Sequence, residues 1–167
     1  MKYMKPNFVY KAYKGESNPK AVGEVSMNIT VKDMYSMVSL ISMIAPSPDW
    51  FVGVDSYDLC GRDGKWKQKP SPVDLLPWDA GTEDGRNFTL TNNATMPQDF
   101  ITMITKDSET VIKDDASKAF AQVTFMKYDE PTTTTTATPT PDSAQCPSSG
   151  VSTLLAIAFL STLRLLF

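Results

Sequence analysis

The sequence contains no histidine and only two cysteines among its 167 residues. The absence of histidine excludes Ser-His-Asp and Cys-His nucleophile systems and removes the commonest side-chain ligand of transition metals. The two cysteines, Cys60 and Cys146, cannot form a zinc site by themselves, because such a site takes at least three protein ligands. Catalysis by carboxylates alone stays open, but this composition does not predict an enzyme.

The chain also lacks an excess of positive charge. Its formal net charge is −3, whereas a protein that binds nucleic acid should show a basic face, so we expect no nucleic-acid partner. The acidic residues are unevenly distributed and concentrate between positions 49 and 84. An acidic neighbourhood suits a hard cation such as calcium. On composition alone, a solvated loop surface is the simpler interpretation.

Short apolar runs bounded by glycine and proline recur along the first 130 residues. Met34 to Ala45 is nearly continuous in apolar residues and predicts a buried strand, although periodicity alone leaves a buried helix open. Trp50 to Val54 and Phe100 to Thr105 are further predicted strands, and Ala119 to Tyr128 alternates as a half-buried strand does. Many short strands separated by turn signals predict an all-β sandwich.

The composition changes abruptly after Glu130. Residues 131–141 comprise seven threonines, three prolines and one alanine, which is typical of a disordered, mucin-like stalk. We therefore divide the chain into a poorly defined N-terminal part of the domain (1–34), the sandwich domain (35–130), a Thr/Pro-rich stalk and spacer (131–153) and a hydrophobic tail (154–167).

Two stretches combine proline, tryptophan and aspartate: Pro46–Ser56 and Pro77–Thr82. Together with Asp58–Cys60 they resemble the spondin domain, over roughly Tyr35 to Tyr128. The resemblance implies an antiparallel β-sandwich that acts outside the cell in adhesion or matrix association. It also implies partners among cell-surface receptors, matrix proteins and glycans. Because spondin domains carry more sequence before this region, we expect the domain to be N-terminally truncated here.

Three acidic residues, Asp49, Asp79 and Glu83, are the candidate calcium ligands. Loops at one end of a sandwich can bring distant carboxylates together, and Gly81 allows the backbone to turn between the last two. Calcium takes six to eight oxygen ligands from carboxylates, carbonyls and water. The resemblance implies the same three positions. In the alternative interpretation, Asp49 and Asp79 cap turns by accepting hydrogen bonds from backbone N–H groups.

Two other functions compete with a calcium-binding adhesion module. A carboxylate-based extracellular hydrolase would use Asp49 and Asp79, and would need a cleft and one acid with a raised pKa. A structural matrix protein would bind no metal at all. The large aromatics Trp50, Phe51, Trp66 and Trp78 form a candidate glycan or partner platform, but burial is the expectation for the first two.

Several residues indicate a secreted glycoprotein. Asn28, Asn87 and Asn93 each begin a glycosylation sequon, although such short motifs also occur by chance. The resemblance implies a disulfide between Cys60 and a cysteine near the start of the domain, and no cysteine precedes Cys60. We therefore predict either that its partner is absent from this chain or that Cys60 is a buried free thiol. Cys146, beyond the stalk, is a poor candidate partner.

The C-terminal segment has the pattern of a glycosylphosphatidylinositol-anchor signal. Such a signal combines a small-residue attachment site, a polar spacer and a hydrophobic tail, here Asp142 or Ser143, then Gln145–Thr153, then Leu154–Phe167. A transmembrane helix is the rival, but Val151–Phe167 would reach only about 25 Å of a hydrocarbon core of about 30 Å. We expect the tail to be removed and the protein to be tethered to the outer membrane face.

Overall fold

A computed structural model of the chain describes residues 9–15, 23–32, 35–68, 70–128 and 154–161. Within these residues the strands are β1 (Glu24–Val31), β2 (Met37–Met43), β3 (Trp50–Asp58), β4 (Val73–Leu75), β5 (Pro77–Asp79), β6 (Thr102–Met103), β7 (Ala121–Tyr128) and β8 (Leu154–Ser161). They form two four-stranded sheets, in the orders β1-β8-β7-β4 and β2-β3-β5-β6. Every strand pairing is antiparallel, and the described residues form no helix. The predicted all-β, antiparallel fold is confirmed.

The hydrophobic core lies between the two sheets. Strand β3 contributes Trp50, which is fully buried, and β7 contributes Val123 and Phe125, which are at most 1% exposed. The Phe125 ring stacks on Tyr57 of β3 with the ring centroids 5.0 Å apart, so this pair joins one sheet to the other. The alternation predicted for the last strand of the domain is therefore a real inward and outward alternation.

Strand β2 differs from the continuous buried strand that its apolar run predicts. Its residues alternate between partly buried and exposed, and Met37, Ile41 and Met43 are each more than 60% exposed. The reason is that one face of β2 points away from the core, so alternate side chains are exposed while those between them pack inward. A run of apolar residues does not by itself distinguish these two environments.

The register of β3 and β5 sets the position of the acidic residues. Trp50, the first residue of β3, pairs with Asp79, the last residue of β5. Asp49 precedes Trp50 directly, so Asp49 and Asp79 lie at the same end of the sheet. The turn before β3 is fixed by a hydrogen bond of 3.1 Å from the Trp50 backbone N–H to the buried Ser47 Oγ. The structure thus places two of the three candidate ligands at the same end of this sheet.

One prediction about the cysteines is wrong. Cys60 is disulfide-bonded in the structure, so it is neither a free thiol nor a cysteine whose partner is missing. Cys146, the one other cysteine of the sequence, lies outside the described residues. The expectation assumed that the chain beyond the stalk stays away from the domain, whereas Leu154–Ser161 returns to it as β8, paired with β1 and β7.

The stalk and the anchor-attachment candidates Asp142 and Ser143 lie outside the described residues, and their predictions stand as predictions. No helix in the described part of the chain is long and apolar enough to cross a membrane.

Candidate functional site

Asp49 organises the loop that follows β5. Its side chain is 7% exposed, and its Oδ2 accepts three hydrogen bonds: from Thr82 N at 2.6 Å, from Thr82 Oγ1 at 2.9 Å and from Glu83 N at 3.0 Å. One carboxylate oxygen thus ties the start of β3 to a loop more than thirty residues away in the sequence. This is the capping role expected in the alternative interpretation, and it uses only half of the carboxylate.

The other half of that carboxylate has no partner. Asp49 Oδ1 and Glu83 Oε2 are buried side-chain oxygens without a hydrogen-bond donor. Burying a polar group without a partner costs free energy, and the cost is larger for a charged group. The backbone N–H of Glu83 also donates a hydrogen bond to Asp49 Oδ2. Two buried carboxylate oxygens without a hydrogen-bond donor therefore belong to residues that are themselves joined by a hydrogen bond.

Asp79 sits in the same neighbourhood with both oxygens engaged. Its Oδ1 accepts from Gly81 N at 2.8 Å, and its Oδ2 accepts from Trp50 Nε1 at 3.2 Å. Burial raises the pKa of Asp79, and the negative charges of Asp49 and Asp99 raise it further, while the two hydrogen bonds partly offset the shift. Burial and the neighbouring negative charges thus disfavour the ionised form of Asp79. A cation bound nearby would favour it instead.

Asp99 belongs to this neighbourhood and was not among the predicted site residues. Its backbone N–H donates to Gly81 O at 2.9 Å. The two segments touch closely, because a Cβ on Gly81 would lie 2.7 Å from Asp99 O. The motif Met96–Asp99 continues the spondin-like pattern weakly, but no local signal shows that this segment packs against the Asp79–Glu83 loop.

A polar cleft of about 530 Å³ opens beside the loop, and Asp79, Glu83 and Asp99 are among the residues that line it. Arg86 and Glu109 line it as well, and they form an exposed ion pair with a 2.5 Å separation between Nη2 and Oε2. The cleft therefore contains two of the three predicted ligands, Asp79 and Glu83, whereas Asp49 is not among its lining residues.

Calcium takes six to eight oxygen ligands, more than these carboxylates supply by themselves. The described residues contain no group of three or more His, Cys, Asp or Glu side chains already arranged around one point as metal ligands. Asp49, Asp79 and Glu83 share one loop cluster, but they do not form a closed carboxylate cage. The residues fit calcium only with further oxygens from backbone carbonyls or water, which calcium sites commonly use.

The aromatic residues divide into two groups. Trp50 and Trp66 are at most 3% exposed, and the Trp50 ring meets Phe88 edge to face with centroids 5.6 Å apart. Burial is confirmed for Trp50, and Trp66 is equally unsuited to a surface platform. Phe51 and Trp78, which pair across β3 and β5, are only partly buried.

The three sequon asparagines are all exposed. Asn28 lies in β1, and Asn87 and Asn93 lie in the long connection between β5 and β6. Their accessibility is compatible with the glycosylation that the motifs predict.

The Spondin_N family model matches residues 2–130. Spondin-2 from Homo sapiens and from Rattus norvegicus are each 44% identical over 100 residues, which is 60% of this chain and 30% of each relative. Spondin-1 from Gallus gallus is 45% identical over 69 residues, which is 41% of this chain and 8% of that relative. The chain thus spans less than a third of the length of these relatives, and the family match covers most of the chain. The protein belongs to the Spondin_N family.

Proposed function

We propose that this protein is an extracellular, calcium-binding spondin-domain module that acts in cell adhesion or matrix recognition and performs no catalysis. Family membership supports the extracellular recognition role, since the relatives that match are spondins. Its partners are proposed to be a cell-surface receptor, a matrix protein or a glycan. The exposed sequon asparagines are consistent with a secreted glycoprotein.

The observation that carries the calcium proposal is the divided carboxylate of Asp49. Its Oδ2 is saturated by three donors from the loop, whereas its Oδ1 is buried without a partner. A residue that served only as a cap would gain nothing from the second buried oxygen. Ionised Asp79 and the unpartnered Glu83 Oε2 would supply further charge to the same cation.

The same geometry disfavours the hydrolase. Asp79 has the raised pKa that a general acid needs, and it lines a cleft. However, its two oxygens accept hydrogen bonds from Gly81 N and Trp50 Nε1, which hold the carboxyl group within the loop. The candidate second carboxylate, Asp49, is 7% exposed and cannot approach a scissile bond without unfolding its loop.

The variant Asp49→Asn separates capping from cation binding. Asparagine keeps one acceptor oxygen for the Thr82 and Glu83 donors and replaces the unpartnered oxygen by an NH₂ group. We expect the parent protein to gain about 2.7 kcal/mol of stability at a hundredfold excess of calcium over its dissociation constant. That gain raises the melting temperature by ~8–10 °C. Asp49→Asn should melt at the same temperature in calcium as in chelator.

The measurement is thermal unfolding of the full chain in calcium and in EGTA, for the parent, Asp49→Asn and Asp79→Ala. Asp55→Asn is a matched control, because Asp55 is an exposed acid of the same strand, bonded to Ser39 Oγ and remote from the loop. It should keep the whole calcium response. Equal melting temperatures of the parent in both conditions would leave Asp49 as a cap and favour the metal-free matrix protein.

Surface tethering is a second part of the proposal. It is supported by the sequence pattern of Asp142–Ala144, spacer and apolar tail. The test is expression of the chain behind a functional secretion signal, followed by treatment of intact cells with phosphatidylinositol-specific phospholipase C. Release of protein that lacks residues 154–167 is the expected result. Protein that stays on the cells and retains these residues would contradict the anchor.

A further inference from the structure

The position between β1 and β7 is a slot for one strand. Both β1 and β7 pair antiparallel with β8, over eight and seven residue pairs respectively, so β1 and β7 run parallel to each other. Two strands on either side of a third lie about 9.5 Å apart, which is too far for direct hydrogen bonds. Strand β1 therefore joins its sheet only through whichever strand fills this position.

The two strands that border the slot, β1 and β7, present apolar side chains toward the core. Their facing backbone edges have N–H and C=O groups that need a strand between them as hydrogen-bond partner. On β1, Ile29 and Val31 are at most 7% exposed, and on β7, Val123 and Phe125 are at most 1% exposed. On the other face β1 presents the exposed Glu24, Ser26 and Asn28. An extended segment of about eight residues without proline can pair with both edges at once, provided that the residues opposite Ile29 and Val123 are apolar.

The sequence of β8 meets these requirements, and it also meets those of the hydrophobic tail of an anchor signal. Leu154–Ser161 reads LLAIAFLS, with no proline, glycine or charged residue. The same run forms the first part of the hydrophobic tail that an anchor signal requires. A segment cannot both pair with β1 and β7 and be removed with an anchor signal, so the two fates exclude each other.

We infer that the space between β1 and β7 is a strand-binding slot, that Leu154–Ser161 of the same chain fills it, and that this insertion competes with lipid anchoring. Only the competition rests on the tethering proposed above; the slot and its occupant do not. A chain that keeps β8 has a complete sheet and no anchor. A chain that loses this segment has an open slot and a detached β1.

Cysteine pairs across the register test the occupant in the full-length chain. Ser26 and Phe159 are Cα partners, as are Thr124 and Phe159. Opposed residues of antiparallel strands have Cα atoms about 4.5–5.5 Å apart, a separation that a disulfide bridges. The variants are Ser26→Cys with Phe159→Cys, and Thr124→Cys with Phe159→Cys. The matched control is Ser26→Cys with Leu160→Cys, because a shift of one residue moves the second cysteine to the opposite face.

The expected result is an intrachain disulfide in both native-register pairs and its loss in the shifted control, read by mass spectrometry of non-reduced peptides from monomeric protein. Equal bonding in the native and shifted pairs, or none, would overturn the slot. A disulfide between two chains would overturn the assignment to the same chain, because a second copy would then supply the strand.

The competition has its own readout. The chain locked by Ser26→Cys with Phe159→Cys should lose phospholipase-releasable protein from the cell surface, while the shifted control should retain it. If the locked chain is released as fully as the control, insertion does not compete with anchoring. If the parent shows no releasable protein, the tethering proposal and the competition both fail, and the disulfide pattern still decides whether the slot is filled.

Discussion

Gly81 holds the acidic loop in a conformation that other residues tolerate poorly, and its replacement by alanine has a calculable effect. Its φ is 70°, in the left-handed region where a Cβ costs roughly 1–2 kcal/mol. An added Cβ would also lie 2.7 Å from Asp99 O and 2.9 Å from Phe100 O. Both are backbone atoms, which cannot swing aside as the end of a side chain can.

The matched control is Gly64→Ala. Gly64 has the same φ of 70° and lies in a surface turn closed by its own N–H bond to Gly61 O at 3.0 Å. The substitution Gly64→Ala therefore has only the conformational cost of a Cβ at positive φ. Gly81→Ala has this cost and, in addition, the cost of moving the backbone of residues 99–100, which we put at roughly 1–3 kcal/mol. Expected losses are ~1–2 kcal/mol for Gly64→Ala and ~2–5 kcal/mol for Gly81→Ala.

Chemical denaturation of the full chain in EGTA gives both values, and repeating it with calcium tests the link to the site. Gly64→Ala should keep the whole calcium-dependent gain in stability. Gly81→Ala should keep little of it, because the displaced loop carries Asp79 and Glu83. Equal losses for the two variants in EGTA would refute the close approach of the 81 and 99 segments.

Two further predictions concern single residues. Because the pKa of Asp79 is raised in the folded protein, its ionisation opposes folding. The penalty is absent below the unfolded pKa of about 3.9, grows as the pH rises above that value and is complete once the pH exceeds the folded pKa. In EGTA, acidification from neutral pH toward about 4 should therefore shift the stability difference between the parent and Asp79→Asn in favour of the parent; a constant difference would argue against the shift. For Cys60, which is disulfide-bonded, peptide mapping without reduction of the chain that keeps residues 144–167 should identify Cys146 of the same chain as its partner, because cleavage at the proposed anchor site would remove Cys146. A map showing Cys60 joined to a second chain would contradict this.

The sequence predicted those parts of the site whose conformation is set by residues close together in the chain. Strand β3 and the proline-containing corner before it were predictable from apolar runs and turn residues, and their junction locates Asp49. The end of β5 was likewise marked by its Trp-Asp-Ala-Gly motif, which locates Asp79. The resemblance to spondin domains then indicated that these two positions act together.

The remaining features depend on contacts between distant segments, which local patterns do not encode. The packing of Asp99 against Gly81 and the division of labour between the two oxygens of Asp49 depend on the path of the connection between β5 and β6. The exposure of Ile41 depends on which face of β2 is turned away from the core. The return of Leu154–Ser161 to the sheet was missed because an apolar run at the end of a chain fits an anchor signal as well as a strand.

The central claim is that the loop around Asp49 binds calcium, and isothermal titration calorimetry of the full chain tests it most directly. Extracellular calcium modules bind with dissociation constants of about 0.1–1 mM, so a titration to ~10 mM calcium covers the expected range. We expect one saturable site in the parent, retained in Asp55→Asn and absent from Asp49→Asn. No saturable heat in the parent, or an unchanged isotherm for Asp49→Asn, would contradict it.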